Sequence, residues 1–483
     1  MRATWIACGL VLVACSAPSI EREADGVPAS RSIPGRPMRV EPAAPREPAA
    51  AAVDDGRWVE RARLLFTRAL EDNGAIAQLR DLLAAAPKRL SGSPGADAAV
   101  AWGVQRMRDL GLDAVRAEPV LVPCWVRGAE SAAVIGANAR PLRVTALGGS
   151  VPTPPGGLRA EVVEVRSFEQ LRALGEQARG KIAFFNRPMP RIFARTFRAY
   201  GDAVPQRSNG AIEAAQVGAV AALVRSVTTA VDEFPHTGAM RYQDGVDRVP
   251  AAAIATADAE ALSRLLDAGP VTITLELGCE TRPDVMSANV TGELRGSELP
   301  DEIVVIGAHL DAWDLGTGAH DDGAGCAHVL EAMLLLRACG IAPRRTIRAV
   351  LFMNEENGLR GGEAYADAHV HELHVAALET DAGGATPHGL ATTFVGADAE
   401  ALRPLLRPLG DWGAGVLLTG GGGGADIGPL MRRGVPGFGL VTDSQRYFDY
   451  HHSALDTIDA VNERELALGA AVVAYTASVL ADR

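Results

Sequence analysis

Positive charge is scarce in this chain. Forty-seven Lys and Arg stand against 59 Asp and Glu, for a formal net charge of -12, and Lys88 and Lys181 are the only lysines. A nucleic-acid footprint needs a clustered basic surface, so the charge argues against that class of function. Long apolar runs are missing as well: past the N-terminus no stretch reaches the eighteen or more uninterrupted apolar residues of a span, and the body of the chain is expected to be soluble. Cysteine is sparse, six in 483 residues. Cys326 and Cys339 read as sharing one helix, about 20 Å apart at 1.5 Å per residue, too far to bridge. Cys124 and Cys279 flank a segment of different texture, which allows either a bridge or two reduced thiols.

What is present is a globular composition, 48% hydrophobic and 22% charged, in a chain too long for one ordinary domain. The N-terminus carries Arg2, a short apolar stretch and then Cys15, the pattern of an export signal. Leu12-Val13-Ala14-Cys15 resembles the lipobox of bacterial lipoproteins. That resemblance implies a signal peptide over 1–15, lipidation on Cys15 and a lipid anchor to a membrane; Ser16 rather than Asp after the cysteine favours the outer membrane of a Gram-negative host, facing the periplasm or cell surface. Two or more acyl chains would hold it there. Residues 16–55 are rich in Ala, Pro, Arg and Glu without periodicity and read as a disordered tether.

Apolar positions at three- and four-residue spacing predict helices over 57–118, with a stop at Gly111. From 128 to 279 short β-branched runs mix with helix-like segments, a separate α/β module inserted into the chain. After Pro283 strands alternate with helices: 303–308, 346–354, 375–380, 391–396 and 435–441 read as strands, and 324–340 as the clearest helix. Alternation with continuous apolar strands predicts an α/β fold with a mainly parallel sheet flanked by helices, whose ligands bind beyond the carboxyl ends of the strands.

That rule gives weight to GAHLDAWDLGTGAHDDGAG at 307–325, which holds two histidines and four aspartates. His309 ends one strand, Glu355 and Glu356 follow the next, and Asp381 follows a third. A single such residue is more often a cap or a solvated group. Three strand ends bearing His, Asp and Glu would cost several kcal/mol per buried ion unless cations compensate; imidazole mixed with carboxylate suits zinc. Adjacent side chains on an extended backbone point to opposite sides, so only one of Glu355 and Glu356 can be a ligand, and spacing alone does not say which. His451 and His452 compete in the same way.

These motifs, together with VPCWVRG at 122–128, PHTG at 235–238, MNEENGLRGG at 353–362, ETDAGG at 379–384 and YHHSALDT at 450–457, resemble the M28 metallopeptidases, in their carboxypeptidase Q-like branch. The resemblance runs from about residue 60 to 483. It implies a zinc-exopeptidase (phosphorylase/hydrolase-like) catalytic domain over 56–127 and 280–483, with 128–279 as a protease-associated (PA-like) insert. It implies two Zn2+ per chain: His309 and Asp381 on one, Glu356 and His452 on the other, Asp321 bridging both. Glu355 matches the catalytic base and Asp311 the aspartate that orients His309, while Asp322 reads as a turn residue. Asp426 and Tyr450 are candidates for substrate contact. The implied activity is hydrolysis of dipeptides or short peptides with a free N-terminus, in a homodimer, by a water that two cations acidify and Glu355 deprotonates. The sequence departs from the pattern at Cys124 and in the long glycine run 420–424. Rival readings are an aminopeptidase of longer peptides, a single-zinc aminoacyl cyclase and a metal-free peptide-binding surface lipoprotein; the filled ligand positions stand against the last. An arginine capturing a substrate carboxylate would favour a dipeptidase, but the many arginines leave that residue unnamed.

Overall fold

The computed structural model describes residues 55–483. The signal sequence, Cys15 and the tether up to residue 54 lie outside the described residues. Three helices come first, Asp55–Asp72, Gly74–Ala85 and Pro94–Asp109. The last is capped by Ser93, whose hydroxyl accepts the Ala96 N–H at 3.2 Å. The expected stop at Gly111 is there, in the left-handed region at φ 66°, but the residues after it, read as helical to 118, begin the strand Asp113–Val126.

That strand begins an eight-stranded sheet. Its spatial order is Asp113–Val126, Glu280–Leu294, Arg345–Phe352, Leu299–His309, Leu373–Glu379, Gly437–Thr442, Pro387–Thr392 and Val416–Thr419. The four strands from Arg345–Phe352 to Gly437–Thr442 pair in parallel, and antiparallel neighbours lie on either side. The sheet is therefore mixed with a parallel centre. The expected strand at 391–396 begins earlier, at Pro387, and runs against Gly437–Thr442. Helices Ala324–Ala338 and Glu463–Asp482 cover one face and are buried nearly all round. The second is long and apolar enough to cross a membrane, but 83% of its apolar window is buried within the protein, as in a core helix.

Residues 130–277 supply a second eight-stranded sheet, with Leu158–Val165, Ile182–Phe185, Ala221–Arg225 and Ala251–Ile254 parallel at its centre and a core of its own. The chain enters and leaves this segment through paired strands, Val126 lying opposite Glu280. Cys124 and Cys279 nevertheless remain free thiols: Cys124 Sγ donates to the Gly92 carbonyl at 3.3 Å and Cys279 Sγ to the Ser150 carbonyl at 3.1 Å.

Candidate metal centre

Parallel register brings the acidic and imidazole groups to one edge of the large sheet. His309 pairs with Phe352, and Gly307 with Glu379, so His309, Glu355, Glu356 and Asp381 emerge level with one another. Asp321 comes from the loop before helix Ala324–Ala338, and His451 and His452 follow the short helix Tyr447–Tyr450. His452 has φ 60°, a left-handed conformation unusual outside glycine that functional sites tolerate.

The two oxygens of Asp321 face two different groups. Oδ1 lies 3.1 Å from His309 Nε2, which is 3.6 Å from Asp381 Oδ1. Oδ2 lies 3.2 Å from His452 Nε2, which is 3.0 Å from Glu356 Oε2. Metal bonds of about 2.1 Å put neighbouring ligand atoms about 3.4 Å apart in a tetrahedron, so both groups have the spacing of a metal's ligand shell. Asp321 Oδ2 is buried and accepts no hydrogen bond, which also fits a cation. His451 Nε2 comes only to Asp321, at 3.6 Å, and its ring stacks on His452 at 3.5 Å. Of the two histidines, His452 is therefore the better placed. Of the two glutamates, Glu356 joins the cluster and also accepts the Trp313 N–H at 3.2 Å; Glu355 lines the adjoining cavity.

Main-chain carbonyls fix both histidines. His309 Nδ1 lies 3.0 Å from the Asp311 carbonyl, and His452 Nδ1 lies 3.3 Å from the Thr237 carbonyl. Donating Nδ1–H there leaves each Nε2 lone pair aimed at the carboxylates. The Asp311 carboxylate was expected to orient His309, but it stands 3.9 Å from Nδ1. Its Oδ1 instead accepts the N–H groups of Asn354 at 2.7 Å and Glu355 at 3.1 Å, holding the turn that presents Glu355. Asp322 is a turn residue, accepting from His309 N at 3.1 Å and Gly325 N at 3.0 Å.

Sequence reasoning missed several supports. Asp456 accepts the N–H groups of His320 at 2.7 Å and Asp321 at 3.1 Å, which seats the bridging loop. Arg89, fully buried, donates to the carbonyls of Leu310, Thr317 and Gly318 and staples the same loop. The PHTG motif straps the histidine pair: His236 Nδ1 meets the His451 carbonyl at 2.6 Å, and Thr237 N–H donates to the His452 carbonyl at 2.9 Å. The motif was visible, but nothing in its spacing assigns it that partner.

The electrostatics call for cations. Burial disfavours charge on His452, but Glu356 and Asp321 outweigh it and push the imidazole up to about 10. Burial, and then the Asp321 charge, raise Glu356 to about 7. Burial likewise raises Glu355, with Asp381, Glu356 and Asp321 adding to it. Divalent ions would reverse these pressures by supplying the missing positive charge.

A cavity of about 600 Å³ opens on the cluster, lined by Asp321, Glu355, Glu356, Asp381, His452 and Tyr447 among others. A second, of about 460 Å³, adjoins Asp381 and is walled by Ala391, Leu418, Leu440 and the glycines 422–424. Neither substrate-contact candidate lies on these walls. Tyr450 stacks on His320 at 5.4 Å, outside both. Asp426 is buried with both carboxylate oxygens unpartnered, near Glu379. Tyr447, three residues earlier, is buried and lines the cavity on the cluster in place of Tyr450.

The profile of peptidase family M28 matches residues 289–477. Carboxypeptidase Q of Mus musculus is 39% identical over 402 residues, 82% of this chain and 83% of its own length. The chain belongs to peptidase family M28. Carboxypeptidase Q of Homo sapiens is 38% identical over 404 residues, covering 82% of each chain. The crystal structure of a peptidase M28 precursor from Shewanella amazonensis SB2B superposes with a TM-score of 0.86 at 38% identity, over 89% of this chain and 98% of the other. A Bacillus subtilis zinc aminopeptidase shares the fold, with a TM-score of 0.62 at 21% identity over 83% of this chain and 94% of its own. The strand-end cluster is thus the candidate centre of an M28 metallopeptidase, and its donors suit a metal.

Proposed function

We propose that this M28 peptidase is a di-zinc exopeptidase that hydrolyses dipeptides or short peptides with a free N-terminus. The observation that carries this reading is the division of Asp321, whose two oxygens each face a separate histidine–carboxylate pair. His309 and Asp381 would hold one zinc, Glu356 and His452 the other, with Asp321 between them. Zinc there supplies Lewis acidity toward the scissile carbonyl and acidifies water. Glu355, presented on the cavity wall by Asp311, accepts the proton of the attacking water and returns it to the leaving amine as the C–N bond breaks.

The test is zinc per chain on protein lacking the first 54 residues, paired with a dipeptide panel that includes N-blocked substrates. Two zinc ions with activity lost on N-blocking is the expected result; metal-free protein that binds but does not cleave peptide would overturn it. We further propose, from the sequence, lipid anchoring through Cys15, a PA-like role for the insert and a homodimer. Cys15→Ser should move the protein from the membrane to the soluble fraction, and unchanged fractionation would remove the anchor.

A further inference from the structure

We propose that Arg207, with Arg241 at the cavity rim, receives the α-carboxylate of the residue leaving the metal centre, so that the inserted segment reads the free C-terminus of a dipeptide. The proposal rests on the exopeptidase reading and names the residue that would set its substrate class.

Arg207 belongs to helix Pro205–Gln216 of the insert and lines the same cavity as Asp321, Glu355, Glu356 and His452. It is only 7% exposed. The other buried arginines are each answered: Arg89 by three carbonyls, Arg225 by Glu260 and Asn186, Arg348 by Glu293 and Glu372. Arg207 is not. Its Nη2 donates to the Tyr200 hydroxyl at 2.6 Å, Nη1 reaches the Thr237 carbonyl only at 3.5 Å, and Nε has no partner. Nη1 also lies 3.4 Å from His452 Nδ1. With that Nδ1 committed as a donor to Thr237, it cannot accept from the guanidinium. A buried cation without an anion is costly, and a planar carboxylate matches the guanidinium fork.

The surroundings fit an anion receptor. Arg241, exposed at the rim of the same cavity, is held by Asn209 at 2.7 Å, and no ion pair joins it to a carboxylate among the described residues. The insert residues on this wall, Phe197, Tyr200, Arg207, Ala239 and Arg241, include no acid. Gly238, at φ 133°, makes room: a Cβ there would stand 2.5 Å from Arg207 Cζ and 2.7 Å from His452 Nδ1. The guanidinium therefore sits directly against a proposed ligand, within reach of the first residue beyond the scissile bond, given about 3.8 Å per residue. A longer leaving peptide would place a neutral amide there and forgo the charge-assisted pair.

The experiment compares one dipeptide with its C-terminal amide, on the full chain and on Arg207→Gln and Arg207→Lys. Two ratios are read: kcat/KM for acid over amide, and Kd for the same pair by calorimetry in a Glu355→Gln background, where turnover is slowed enough not to interfere. The native residue should favour the acid on the order of 100-fold in both ratios. Arg207→Gln should bring them within about threefold of unity and Arg207→Lys to an intermediate value near tenfold. A structural role alone would lower acid and amide together and leave the ratios in place, which would overturn the proposal, as would a native protein without preference. Absence of all peptide turnover would sink the exopeptidase reading instead, while the calorimetric ratio would still decide for or against Arg207.

Discussion

The two layers of the molecule meet at one cavity and bring opposite chemistry to it. The large sheet delivers carboxylates from its strand ends: Glu355, Glu356 and Asp381, with Asp321 from the following loop. The insert delivers two arginines, an aromatic wall and main-chain carbonyls. An acidic half attracts cations and a basic half attracts anions, so on the proposed reading a small zwitterion would bridge them with its amide in the middle. On that reading, reaction and selection are divided between two sheets, each with its own core.

The sharpest way to break this comparison is on the acidic side. Asp321→Ala removes the one residue shared by both ligand pairs; both metals should be lost, with activity down on the order of 10⁴-fold or more. Metal analysis showing a full complement would refute the bridge. Glu355→Gln should cost about 10²–10⁴ in kcat while metal content stays at the native level, because it removes a base and not a ligand. Loss of metal in that variant would mean that the roles of Glu355 and Glu356 are exchanged.

On the insert side the effects should be smaller and graded. His236→Ala removes the contact to the His451 carbonyl and loosens the histidine pair, so affinity at the Glu356–His452 position should fall about 10–100-fold with the His309–Asp381 position spared. Competition with a chelator of known affinity measures this, and equal weakening at both positions would contradict the division. Arg89→Met leaves three loop carbonyls without their donor and should cost on the order of 3–5 kcal/mol of stability in denaturant unfolding. Smallest of all, Cys124→Ser with Cys279→Ser should shift the unfolding midpoint little, and reductant should not move it for the native protein. A drop of many degrees on adding reductant would reveal a bridge.

Three of the proposed ligands, His309, Glu356 and Asp381, were legible as candidates because they follow successive strands, and strand–helix alternation says which end faces the ligand; Asp321 and His452 needed the family resemblance. Chemistry also narrowed the field: His, Asp and Glu on successive strands have few reasons to be buried together. Choosing between Glu355 and Glu356, or between His451 and His452, required geometry or family resemblance, since adjacent residues share the same local pattern. The supports were hidden for another reason. Asp456 and Arg89 act on main-chain groups more than a hundred residues away, and no periodicity records such a pairing. Tyr450 misled by its adjacency to His451: its ring stacks on His320, and Tyr447 lines the cavity instead. Asp113–Val126 was partly read as helix because its opening DAVRAE suits either period, and only its partner Glu280–Leu294 decides for strand.

The carbonyl that sets the tautomer of His452 belongs to Thr237, 215 residues earlier in the chain and in the other layer. Synthesis therefore completes the insert long before the histidine it will hold exists. On the di-zinc reading, the Glu356–His452 position would mature only once the last segment of the chain has docked against that finished layer. Metal occupancy at that position would then be a built-in report on assembly: a chain truncated or misdocked near its C-terminus would still carry most of its acids, yet be expected to stay inactive.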